Sequence, residues 1–152
     1  MSMQQMSGLE LMQAMVDGRI PMPPIAHVIP MTGVAAEHGR IVFEAQADDR
    51  HLNPLGGVHG GFAATVLDSV TGCAVHTMLE AGVGYGTVDL NVKMVKAIPR
   101  GVPLIAEGRV ISVSRSLGIS EGTLRDADGN LYAHATATCL IIRPSSKPSL
   151  ER

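Results

Sequence analysis

Between Arg50 and Glu80 the chain carries a single formally charged side chain, Asp68, in an otherwise apolar and glycine-rich run, HLNPLGGVHGGFAATVLDSVTGCAVHTML. From about Gly60 to Leu79 this run lacks proline and is dense in Ala, Val and Leu nearly all round. That pattern predicts one long helix buried on every side. A membrane span does not fit its content. Asp68 would stand near mid-membrane at a cost of about 3 kcal/mol, and Thr65, Ser69, Thr71, His76 and Thr77 add polar load. A helix with no exposed face needs other elements wrapped around it.

The flanks supply those elements. Residues 1–18 read as a short amphipathic helix: Ser7 and Glu10 have capping-box spacing, Leu11, Met12, Met15 and Val16 share a face, and Gly18 stops it. The prolines of IPMPPI, residues 20–25, predict an extended connector. Residues 27–36 and 40–47 read as two strands joined at His38-Gly39, and Asp48 to Val58 reads as a loop. After the long helix the period changes to two. Val88, Leu90, Val92 and Met94 alternate with Thr87, Asp89, Asn91 and Lys93; strands follow over 104–115 and 119–125, and the turn at Asp128-Gly129 leads into a last strand over 131–142. In that strand Ala133, Ala135, Ala137 and Cys139 form a column of small side chains against which a helix can lie close. The expected fold is α+β, an antiparallel sheet curled around one central helix. Unpaired strand edges predict association with a second copy, as a dimer or a larger assembly.

Composition narrows the function classes. At 152 residues the chain fits one domain, and a net charge of −2 gives no footprint for nucleic acid or an anionic membrane. The amino terminus lacks the basic and apolar regions of a secretory signal, and the two cysteines, Cys73 and Cys139, lack CxxC spacing, so a reducing, cytoplasmic setting is expected. Histidines 27, 38, 51, 59, 76 and 134 are scattered without HxH or HExxH, which argues against a metal. Cys73 reads as a small filler in mid-helix rather than a nucleophile.

A carboxylate on a buried helix must be paired, hydrogen-bonded, protonated or facing a cavity. Asp68 has no nearby cation in sequence, the closest being Arg50 and Lys93, which favours a catalytic base or nucleophile at the floor of a cleft over a structural ion pair. The preceding GGVHGG places glycines at a helix start, where free N–H groups and the helix dipole stabilise negative charge. The anion could be a phosphate or a carbonyl oxygen becoming an oxyanion, but the segment lacks the signatures of a P-loop or a dinucleotide fold.

The order Asn53, Pro54, Gly56, His59-Gly60-Gly61 and Asp68, followed by Thr87-Val88-Asp89-Leu90-Asn91, resembles the hotdog-fold acyl-CoA thioesterases, and among them the phenylacetate-type (PaaI-like) branch. The likeness spans roughly residues 25–142. It implies a hotdog domain over 25–142, preceded by a helix and Pro-rich connector over 1–24 and followed by a flexible tail over 143–152. It also implies hydrolysis of an aryl- or medium-chain acyl-CoA, with Asp68 attacking the thioester or activating water and the Gly60 N–H polarising the carbonyl. Asn53 and His59 would orient the thioester or the water, and Thr87 would supply a hydroxyl opposite the helix. Arg115, Ser116, Lys93, Lys96 and Arg100 would meet the phosphates of coenzyme A, which is part of the substrate; no separate cofactor is expected. In such enzymes both subunits of a dimer build each site, so Asp68 would face Gly60 and Asn53 of its partner. A hotdog hydratase or dehydratase, and a non-catalytic acyl-CoA-binding module, are the alternatives.

Overall fold

A computed structural model describes residues 1–145; most of the tail expected to be flexible, residues 146–152, lies outside the described residues. The chain forms α1 (Gly8–Val16), α2 (Ile25–Val28), β1 (Met31–Glu37), β2 (Arg40–Ala45), α3 (Gly60–His76), β3 (Gly84–Met94), β4 (Leu104–Val113), β5 (Leu117–Arg125) and β6 (Leu131–Ile142). The strands make one antiparallel sheet in the order β1-β2-β4-β5-β6-β3. The sheet wraps around α3, which packs on β2 through β6. This is the α+β hotdog arrangement.

The capping box of α1 forms as its spacing predicts. Ser7 Oγ accepts from the Glu10 N–H at 3.2 Å, and Glu10 Oε2 accepts from the Ser7 N–H at 2.7 Å. The first strand is shorter than its sequence suggests. Residues 27–30 are not strand: Pro24 adopts helical angles and starts the one-turn α2, so the connector is extended only as far as Pro23. A proline at a helix start loses no hydrogen bond, which is why the Pro-Pro pair opens a turn here. The long helix stops at His76 rather than Leu79, and residues 77–79 close it as a turn through Thr77 N–H to Cys73 O and Leu79 N–H to His76 O.

The core is the seam between α3 and the sheet. Phe62, Val66, Leu67 and Val70 pack against Ile41, Phe43, Leu104, Leu124 and the Ala133–Ala135 column, all buried. Close approach depends on glycine as well as alanine. A Cβ on Gly108 would overlap the Val70 carbonyl, and one on Gly118 would lie 2.5 Å from a Val75 methyl. The buried Ser120 hydroxyl donates to Thr71 O at 3.0 Å, pinning β5 to the middle of α3.

Candidate active site

The hydroxyl residues along α3 satisfy themselves, whereas its one carboxylate does not. Thr65 donates to Gly61 O, Ser69 to Thr65 O, Thr71 to Leu67 O and Thr77 to Ala74 O, each between 2.6 and 2.9 Å. Hydroxyls bonded back to the preceding turn need no outside partner. Asp68 has no such option, since an ionised carboxylate only accepts. Its Oδ1 is buried and without a hydrogen-bond partner, and no cation among the described residues is paired with it. The ion-pair reading of this residue therefore finds no support.

Asp68 instead borders a cavity of about 220 Å³. Ser69, Cys73, Tyr85 and Thr87 also line it, and Met15, Met22, Met31 and Phe43 add apolar surface. Thr87 stands where β3 bulges, between the register pairs Thr87–Cys139 and Asp89–Thr138, with its hydroxyl 3.9 Å from Cys139 Sγ. Burial pushes the Cys73 thiol up to about 11, with the Asp68 and Cys139 charges adding to the rise and Tyr85 opposing it. Burial also pushes the Tyr85 phenol upward. Both stay protonated near neutrality, so Cys73 is no thiolate nucleophile. That Cys73 and Tyr85 share a cavity with Asp68 escaped the sequence reading. Helical spacing holds the signal for Cys73, four positions on from Ser69 and so one turn further along the same face, but nothing local announces Tyr85.

The glycine-rich segment forms the start of α3. His59 caps the helix, its Nδ1 accepting from the Gly61 N–H at 2.8 Å. Gly60 supplies the first helical amide, which has no partner within a helix. It lies beside Met94, whose methyl would be 3.1 Å from an added Cβ, and borders a second cavity of about 310 Å³ with Lys96 and Ile98. Asn53 shapes the loop before it. Its Oδ1 accepts from the Leu55 and Gly57 amides at 2.9 and 3.1 Å, and its own N–H donates to Gly57 O. Gly56 closes this turn with φ +86°, a conformation that disfavours side chains.

One chain thus carries two separated groups of candidate residues. Asp68 and Thr87 lie together; Asn53, His59 and Gly60 lie together at the helix start. Asp68 lies eight positions after Gly60 along α3, about 12 Å along the axis. The five basic or polar residues assigned to the nucleotide also divide. Arg115 and Ser116 lie in the β4–β5 turn, at the same end of the sheet as Gly86 but across β6 from it, whereas Lys93, Lys96 and Arg100 lie near the opposite end. Arg100 is paired with Asp49 at 3.0 Å, while Lys93 and Lys96 are exposed and make no ion pair among the described residues. No group of His, Cys, Asp and Glu among the described residues is arranged to hold a metal, and no described helix is long and apolar enough to cross a membrane.

Known proteins share this fold. A phenylacetic acid degradation-related protein of Ralstonia eutropha, described as a candidate thioesterase, superposes with a TM-score of 0.77 at 32% identity over 85% of this chain and 98% of its own. Human acyl-coenzyme A thioesterase 13 is 27% identical over 71% of this chain and 77% of its own length. A Streptococcus mutans protein solved bound to acetyl CoA shares the fold, with a TM-score of 0.68 at 23% identity over 75% of this chain and 91% of its own. The thioesterase superfamily model matches residues 55–133, just over half of the sequence and the part that holds Gly60, Asp68 and Thr87. The chain belongs to the thioesterase superfamily and is a thioester hydrolase.

Proposed function

We propose that the protein hydrolyses an aryl- or medium-chain acyl-CoA to the free acid and coenzyme A, at a site shared between two copies of the chain. The observation that carries this reading is the buried, unpartnered Oδ1 of Asp68, a residue that lines a cavity with both apolar and polar neighbours. Leaving a carboxylate in that position costs stability, which a structural role does not explain and a reacting carbonyl does.

The geometry supports a shared site. Strand β3 is an edge of the sheet and is exposed along most of its length, with Val88 63% accessible. Antiparallel pairing of two β3 edges about a two-fold axis removes both edges. It also reverses the second copy, carrying its helix start toward the Asp68 of the first. The same reversal brings the Arg115 end of one copy toward the Lys96 end of the other, so that basic residues divided within a chain border one cleft.

In this site Asp68 takes a proton from water as the water oxygen attacks the thioester carbon, or its carboxylate attacks directly and the resulting anhydride is hydrolysed in a second step. In either route the Gly60 N–H of the second copy donates to the developing oxyanion. Collapse of the tetrahedral intermediate breaks the C–S bond, and the departing thiolate recovers a proton. Asn53 and His59 stand beside that donor and orient the thioester or the water, while the Thr87 hydroxyl borders the carbonyl from β3. A thiol-release assay across a panel of acyl-CoAs tests the reading: the wild type releases thiol and Asp68→Asn does not. Binding without release by the wild type would favour an acyl-CoA-binding module.

A further inference from the structure

One part of the lining of the Asp68 cavity, an amino-terminal wall, is built by residues that precede the segment matched by the family model. Met15 comes from α1, and Met22, Pro23, Ile25 and Ala26 come from the connector and α2. This wall is anchored at both ends. The Gly8 N–H of α1 donates to Leu79 O at 2.9 Å, and Gly33 of β1 lies so close to Val16 that an added Cβ would stand 2.9 Å from its methyl. Beyond the connector, Nδ1 of the buried His51 accepts from the Asp48 N–H at 3.0 Å, which leaves its Nε2–H to donate to Val28 O at 2.6 Å. Arg50 also donates to His27 O. Met22 and Pro23 span the gap between these two fixed points.

We infer that this amino-terminal wall, through Met22 and Met15, sets the largest acyl group the enzyme accepts. The inference rests on the thioesterase reading. An apolar cavity of about 150 Å³ holds benzene. On that scale 220 Å³ holds about eight carbons, either a ring with a short linker or a straight chain. Methionine is unbranched and flexible, so the wall moulds to either shape but does not open, because its backbone is tied down on both sides.

The test compares kcat/KM for straight-chain acyl-CoAs of increasing length and for phenylacetyl-CoA, in the wild type, Met22→Ala and Met22→Phe. Met22 lies in a connector outside any helix or strand, so neither change interrupts an element. The wild type is expected to fall off beyond about eight carbons. Met22→Ala raises the ratio of a chain of about twelve carbons to one of about eight by roughly tenfold, and Met22→Phe lowers it by a similar factor, the size of effect that one or two methylenes exert in an apolar pocket. Met15→Ala moves the ratio in the same direction as Met22→Ala. Thiol release with a ratio within about twofold of wild type in all three variants would overturn the wall assignment and leave the thioesterase reading standing. A wild type that releases thiol from none of these substrates would overturn both.

Discussion

Asp68 differs from the hydroxyl residues of α3 in having no helix carbonyl to bond back to, a cost that the proposed hydrolysis at this site explains. Replacing it with Asn removes the charge and keeps the shape. Turnover is expected to fall by at least about 100-fold, the range lost with a general base or nucleophile. Stability in urea should equal or exceed that of wild type, because a neutral amide replaces a carboxylate whose Oδ1 is buried without a partner. A loss of more than about 1 kcal/mol would mean that Asp68 holds the fold instead. Gly60 permits an equally specific change. Proline suits the first helical position, and His59 already has the extended angles, φ −64° and ψ 136°, that a residue before proline prefers. Gly60→Pro should therefore keep the helix and abolish the oxyanion donor, lowering kcat by roughly 100-fold or more with an unchanged circular dichroism spectrum. Asp68 was legible in the sequence because charge is conspicuous in an apolar run. The loop-building role of the Asn53 carbonyl oxygen was not, because a side chain that folds back on its own loop looks the same in sequence as one that faces a ligand.

Among the elements, α3 and the sheet approach each other through Gly108, Gly118 and the alanine column of β6. Gly108→Ala would drive a methyl into the Val70 carbonyl, backbone against backbone, and should cost about 3 kcal/mol or more by chemical denaturation. The alanine column was readable from its period of two, whereas the glycines look like loop or bulge residues until the helix is laid across them. The boundary errors have a similar origin: α2 is a single turn, shorter than the window in which helical periodicity can be seen. At the other end of α3, burial holds the His76 imidazole below its ordinary value. The unfolded chain gains a proton near pH 6.5 while the folded chain resists until a lower pH. Stability from this group is therefore full above about pH 6.5, declines as the pH falls toward the folded value, and levels off below it. His76→Gln should flatten that part of the urea midpoint against pH, and an unchanged slope would assign it to other groups.

For the whole molecule, the account requires two copies. On the proposed reading the exposed β3 edge and the 12 Å between the two groups of candidate residues have one explanation, a second copy that pairs the edge and completes the site. Val88→Asp places a charge on the edge of each copy and should shift the protein toward monomer in sedimentation, with activity falling in proportion. The most direct measurement mixes the two inactive variants, Asp68→Asn and Gly60→Pro, after dissociation and reassociation of the subunits. If each site takes its acid from one copy and its amide from the other, every mixed dimer holds one intact site, and an equal mixture should recover about a quarter of wild-type turnover. A mixture that stays as inactive as its parents, although mixed dimers form, would contradict a site shared between subunits.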